Sequence, residues 1–342
     1  MTMRQQWTTI YGAVICVAFA AVAAWRSLPT QARGQGLVAF SQEGMENEWR
    51  VMDTRDMEQA FKQAGYKFVW TNANSDPAKQ LSDIEDLLAR KPALLVVAPI
   101  EYEPLAPVPE LADEAGVPLI VVDRALPGVP GRGQWLATLT TNFVDTGEQV
   151  ARDVVATLTK LNGAPRGRLL HVTGNTGASP VVDEQKGLDD VLHAYPQIRI
   201  LGTCDGRYSR EPGRKCTEDL LQAFGRGTVD GVIFDSDDMM VGGIAAIKAA
   251  GRTELLGKLW GKDASLDGLQ ALLDGDARFT VQTPPTFGAQ TVQVFRQFLA
   301  HQPIQPNVQY VPKATYGIDT PGERERVRQR IETLHQLGVG CC

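Results

Sequence analysis

The 342-residue chain carries 43% hydrophobic and 22% charged residues, a globular composition with room for two domains of ordinary size. Its formal net charge is -6 and its arginines are scattered, so no basic surface is available to neutralise phosphates, which argues against nucleic acid as a partner. Near the end, Arg324, Arg326, Arg328 and Arg330 alternate with Glu323, Glu325 and Glu332 and read as a solvated helix face.

Arg4 precedes an apolar run over residues 13–25 that is too short for a confident membrane span. Small residues at Ala21, Ala23, Ala24 and Ala32 offer cleavage points, so residues 1–33 read as a signal peptide, with an uncleaved anchor as the alternative. Cys16 lacks the small residues that a lipidation site wants in front of it. The expectation is export to the periplasm, where the mature chain is soluble.

From Gly36 onward, short apolar runs alternate with helix-like segments. Strands are expected at 36–41, 66–70, 93–98, 118–123, 168–173, 199–202, 231–235 and 255–260, nearly continuous in apolar character as buried parallel strands are. Met57, Ala60, Phe61 and Ala64 recur at helical spacing, as do Met240, Ile244 and Ile247. Gly65, Gly116 and Gly251 stand where helices need a left-handed cap. The class is α/β with parallel sheets, arranged as two doubly wound halves. The first half holds about four βα units to Arg124. After the loop LPGVPGRGQ, the TLTTN segment at 138–142 is expected to start the long helix that opens the second. Segments near 279–282 and 308–314 have no place in a complete second half and read as crossings between two lobes that flank a cleft.

No P-loop, HExxH pair, GxSxG elbow or GxGxxG fingerprint appears, and His171, His193, His301 and His335 are dispersed. Neither a metal nor a cofactor is expected, and no motif supports catalysis. His171, inside an apolar strand, reads as structural. Asp237 and Asp238 read as helix caps rather than catalytic acids. In CDGRYSREPGRKC, Cys204 and Cys216 fall at a strand end and in the first turns of the next helix, and an oxidising compartment permits a disulfide between them. Cys341 and Cys342 receive no role.

Several polar and aromatic residues fall just after strands: Trp49 and Arg50, Asp123 and Arg124, residues 174–183, Tyr208, Ser236 and Asp263. Ligands in open α/β sheets bind outside the carboxyl ends of the strands. Carboxylates accept from hydroxyls, arginine donates from a rigid fork, and aromatic faces cover the C–H side of a sugar ring. This set suits a polyhydroxylated small molecule.

The segments FSQEGMENEWR, APIEYEP, PLIVVDR, GNTGASPVVDEQKG, DSDDMMVGGIAAIKAAG and ALLDGDARFTVQTPP, in that order, resemble the periplasmic sugar-binding proteins of ABC transporters in the ribose-binding type I class. The likeness runs from Gly36 to about Gly338, nearest in pattern to the galactofuranose-binding members. It implies two lobes joined by three hinge crossovers, with residues 34–141 plus 283–312 in the first and 142–282 plus 313–342 in the second. By position, Trp49 and Arg50 would meet the ring, and Asp123 with Arg124 would hold its hydroxyls. Asn142 would sit at the first crossover, Asp183 and Tyr208 would reach in from the second lobe, Asp263 would supply a carboxylate, and Gln282 or Thr283 would mark the second crossover. Ser236 departs from the asparagine usual in this class, and Glu184 stands where the galactofuranose-binding pattern has a basic residue. The implied function is capture of a monosaccharide, galactofuranose-like or another aldose, for delivery by a monomeric receptor to an ABC permease. A sensor feeding a chemoreceptor or a two-component kinase is the alternative. A LacI-type effector domain would need a helix-turn-helix ahead of Gly36, where the apolar leader stands.

Overall fold

The computed structural model describes residues 36–131 and 135–340. The expected signal peptide, Cys16, Cys341 and Cys342 lie outside the described residues.

Two six-stranded sheets dominate the chain from Leu37 onward. The first takes β1 (Leu37–Gln42), β2 (Lys67–Asn72), β3 (Leu94–Val97), β4 (Leu119–Asp123) and β5 (Ala137–Thr140). The second takes β6 (Gly167–Thr173), β7 (Ile198–Asp205), β8 (Gly231–Phe234), β9 (Leu259–Asp263) and β10 (Phe279–Gln282). Each gains a late strand: β11 (Val308–Tyr310) pairs with β5, and β12 (Thr315–Gly317) runs antiparallel to β10. The orders are β11-β5-β4-β3-β1-β2 and β12-β10-β9-β8-β6-β7. The inner strands β3, LLVV, and β8, GVIF, are buried throughout, as strands covered on both faces by helices must be.

Helices α1 (Glu48–Gln63), α2 (Pro77–Ala89) and α3 (Val108–Glu114) cover the first sheet, and α4 (Phe143–Asn162), α5 (Ser179–Leu192), α6 (Arg210–Ala223), α7 (Asp237–Ala249) and α8 (Leu266–Asp274) cover the second. The chain then returns to the first. Phe287, Val292 and Phe295, around and on α9 (Gly288–Leu299), join the core formed by Met57 and Phe61 of α1. After β11 it crosses again, and α10 (Pro321–Leu337) buries Val327 and Leu334 against Leu269 and Leu272 of α8. The passages at residues 141–142, 283–287 and 311–314 therefore connect the two sheets.

Residues 138–142 depart from the helix expected there. Thr138 to Thr140 belong to β5, buried between β4 and β11, and the helix begins only at Phe143 with Asn142 as its cap. Alternating threonines fit a pleated, buried strand better than a first helical turn. The strand expected at 255–260 is displaced as well. Leu255 ends a short 3₁₀ turn, Gly257 takes φ 74°, and the strand starts at Leu259. Cys204 and Cys216 form a disulfide with Cα atoms 5.6 Å apart, joining β7 to α6.

Candidate binding cleft

The wall from the first sheet is built on four charged side chains. Asn47 caps α1 by accepting from the Arg50 N–H at 2.9 Å, which turns Trp49 and Arg50 inward on its first turn. Asp123 ends β4 with φ 62°, a left-handed conformation that a short polar side chain tolerates better than most. Glu43 lies between two guanidinium groups: Arg50 Nε approaches its Oε1 at 2.5 Å, and Arg124 Nη1 its Oε2 at 2.5 Å. Arg50 Nη1 reaches Asp123 Oδ2 at 2.8 Å, and Arg124 also donates to the Ile100 carbonyl at 2.6 Å. Burial raises the Glu43 carboxyl above its usual range while Arg124 and Arg50 oppose it. Two cations thus meet two anions, which a buried site requires if no charge is to stand unpaired. The Arg50 guanidinium lies 4.5 Å from the Trp49 ring centroid, and Trp49 Nε1 donates to the Thr283 carbonyl at 2.6 Å. Behind them Gln42 donates to Asp53, whose carboxyl burial pushes up to about 8.

The facing wall uses separate pairs. His171 Nε2 lies 2.6 Å from Asp235 Oδ1, and Asp235 Oδ2 accepts from the Gly174 N–H at 3.0 Å. Burial works to raise Asp235, but His171, Lys262 and the Gly174 N–H hold it below the ordinary carboxylate range. His171 is buried and is not among the residues that line the cleft. Gly174 lets the Tyr208 ring lie against the backbone, since a Cβ there would come 1.9 Å from Tyr208 Cζ. Lys262 Nζ donates to Glu184 Oε1 at 2.6 Å and lies 4.8 Å from the Tyr208 ring centroid and 5.2 Å from that of Phe143. Asp263, at φ 107°, accepts from the Thr283 hydroxyl, and burial pushes its carboxyl up to about 7 against the pull of Lys262.

These walls enclose a cavity of about 310 Å³. Seven of the sequence-predicted residues line it: Trp49, Arg50, Asp123, Arg124, Tyr208, Ser236 and Asp263. Ser236 does so while capping α7, its Oγ accepting from the Met239 N–H at 3.2 Å. The cap expected from Asp237 and Asp238 therefore belongs to Ser236. Asp237 is instead buried and accepts from the Ser265 N–H and the Thr280 hydroxyl, each at 2.9 Å.

Three predicted residues are placed elsewhere. Asn142 caps α4, and its carbonyl accepts from Lys313 Nζ at 2.9 Å, which ties the first crossover to the third. With Asp183 it lines a separate cavity of about 200 Å³, because Asp183 sits on the flank of α5 while its neighbour Glu184 points inward. Gln282 ends β10, its N–H bonded to the Ala314 carbonyl, and the next residue, Thr283, reaches the cleft. The sequence reading missed Lys262, Asn47, Phe143 and Arg210. A lysine inside the buried strand LWGKD was the available signal for the first.

Contacts join the walls across the cleft. Asn47 Nδ2 donates to the Tyr208 carbonyl at 3.1 Å, the Tyr102 N–H to the Gly177 carbonyl at 2.9 Å, and the Ala125 N–H to Ser179 Oγ at 2.8 Å. The Arg124 guanidinium stands 5.2 Å from the Tyr208 ring centroid. Tyr208 Oη and Arg124 Nε, buried in cleft-lining residues, have no hydrogen-bond partner among the described residues. No group of three or more His, Cys, Asp or Glu among the described residues is placed to hold a metal ion.

Residues 38–303 match the profile of the periplasmic binding protein domain. The chain belongs to that family. It is 24% identical over 294 residues to the galactofuranose-binding protein YtfQ of Escherichia coli (strain K12), covering 84% of this chain and 89% of the relative. The arabinose-binding component of an ABC transporter from Shewanella sp. ANA-3, solved with α- and β-L-arabinofuranose, superposes with a TM-score of 0.79 at 24% identity over 88% of this chain and 96% of that one. The fructose-binding periplasmic domain of the hybrid two-component system BT1754 superposes with a TM-score of 0.73 at 22% identity, covering 88% and 99%. At such identity the structural likeness establishes the fold, which is that of a type I periplasmic binding protein. Members of the family are substrate-binding proteins and not enzymes, and their setting is extracytoplasmic.

Proposed function

We propose that this binding protein captures a neutral monosaccharide between its two sheets and delivers it to an ABC permease. One observation carries the reading: Asp123 and Asp263, at matching strand ends of the two sheets, line one aromatic-walled cleft in which the cations are already paired. Arg50 and Arg124 are held by Glu43 and Asp123, Lys262 by Glu184, and Arg210 by Asp238 and Asp267. An anionic sugar finds no spare positive charge there, whereas hydroxyls find carboxylates to donate to and guanidinium edges to accept from. The furanose and ribose-type ligands of its relatives agree with a ligand of this size. Binding stabilises the form in which Asn47 and Tyr102 bridge the walls, and a permease reads that form.

A receptor role in signalling is the second reading, favoured by the likeness to the sensor domain of a two-component system. Thermal melts with D-ribose, L-arabinose, D-galactose and D-fructose, against D-glucuronate and D-ribose 5-phosphate, test the ligand class. A rise in midpoint with at least one neutral sugar is expected. A rise only with the anionic sugars overturns the proposal. Uptake of the bound sugar by vesicles carrying the permease separates delivery from sensing.

A further inference from the structure

We propose that Lys262 is a ligand-facing specificity determinant, a hydrogen-bond donor held in the cleft by Glu184, and that it selects sugars presenting an oxygen acceptor opposite Tyr208. The inference rests on the sugar-binding reading above and adds to it a residue that strand-end reasoning passed over.

Position is the first argument. Lys262 precedes the cleft carboxylate Asp263 at the end of β9 and is 5% exposed, a burial that lysine rarely accepts without a specific partner. It lines both the main cleft and, on its other side, a void of about 10 Å³. Glu184 lines only the void. The lysine is therefore the member of the pair that faces the ligand space, and the glutamate stands behind it.

Construction is the second. Glu184 reaches Lys262 because α4 and α5 pack with almost no gap. A Cβ on Gly147 would come 2.2 Å from the Glu184 carbonyl, and one on Gly187 would come 2.0 Å from the Val144 carbonyl. Both positions therefore have to be glycine for these backbones to approach so closely. The ammonium is then flanked by the cleft-lining rings of Tyr208 and Phe143. Aromatic faces orient a cation without consuming its N–H donors. Lys262 has three N–H groups and Glu184 takes one, so donors remain for a ligand oxygen. The opposite wall offers guanidinium forks of fixed geometry, while the lysine is a single rotatable point donor, suited to picking out one oxygen.

Removing the lysine alone would strand Glu184, so the decisive variant is the double exchange Glu184→Gln with Lys262→Met. Its melting midpoint is expected to stay within a few degrees of the parent. Calorimetric titration with whichever of D-ribose, L-arabinose, D-galactose and D-fructose binds the parent most tightly is expected to show an affinity at least about tenfold weaker. Lys262→Arg should recover part of that loss. Among monodeoxy derivatives of the bound sugar, one should bind the parent about tenfold more weakly than the full sugar yet bind the double variant no worse than the full sugar does. That signature belongs to a direct contact and not to a packing role. A folded double variant with parental affinity, or with parental discrimination among the deoxy sugars, overturns the inference alone. A parent that binds none of the four sugars overturns the sugar reading and this inference with it.

Discussion

The two walls of the cleft share a topology and differ in how they hold charge. Asp123 ends β4 and Asp263 ends β9, strands at the same place in their sheets, and both carry positive φ, 62° and 107°. Around Asp123, the groups Glu43, Arg50 and Arg124 form one connected network. Around Asp263 stand separate pairs, Lys262 of β9 with Glu184 of α5 and His171 of β6 with Asp235 just after β8. The fold repeats where a carboxylate is presented, while each wall finds its own means of keeping charges compensated. A connected network fails as a unit, and separate pairs fail one at a time.

The largest expected effect tests that contrast directly. Glu43→Ala leaves two buried guanidinium groups sharing Asp123 and should cost about 3–5 kcal/mol, as removing one partner of a buried ion pair does. Glu184→Ala leaves Lys262 near Asp235 and Asp263 and should cost clearly less. Urea unfolding of the two variants decides it, and equal losses would dissolve the distinction between the walls.

Next in size are the carboxylates. Asp123→Ala should lower sugar affinity about 100-fold and Asp263→Ala about tenfold in calorimetric titration, since the first also releases Arg50 from its place over Trp49. The reverse order would mean that the second wall does the gripping. Gly174→Ala should push Tyr208 out of its seat, with a stability loss of about 1–3 kcal/mol from overpacking and a weaker sugar complex. Tyr208→Ala combined with it should add little further loss of affinity if the two act through the same ring.

The smallest effect concerns pH. Burial lifts Asp53 to about 8 and Asp263 to about 7, both above an unfolded aspartate at 3.8. The folded chain therefore holds protons that the unfolded chain has released, and stability contributed by these groups is present below about pH 4 and lost as pH rises through 7 to 8. Melting midpoints of the unliganded protein should fall between pH 5 and 8. Asp53→Asn should flatten that slope, and an unchanged slope would place the effect elsewhere.

Strand ends were the legible part of the site, because a buried parallel strand announces itself as an apolar run and the residue after it has few places to go. Trp49, Arg50, Asp123, Arg124, Tyr208, Ser236 and Asp263 were reached that way and all line the cavity. Phase within an element was not legible. Asp183 and Glu184 are adjacent acids on α5, about 100° apart around the helix axis, and the sequence does not say which faces inward. Gln282 and Thr283 pose the same question at a strand end, where consecutive side chains point to opposite faces. Lys262 was missed for a different reason: its partner lies 78 residues away, and such a pairing exists only once α4 and α5 have closed on each other. At residues 138–142 neither the short strand nor the cap at Asn142 was legible, because a four-residue strand rich in small and β-branched residues running straight into a helix carries no break in pattern.

The bridge between Cys204 and Cys216 spans a sequence separation of 12, and Tyr208 rides on the loop it closes, with Arg207 and Tyr208 both at positive φ. The tether limits how far the aromatic plate can move from its seat beside the cleft. Folding history therefore enters the affinity. Protein recovered from a reducing compartment should keep its sheets yet hold sugar more loosely than the same chain oxidised after export. Anyone building a fluorescent sugar reporter from it would set its working range by the choice of expression host.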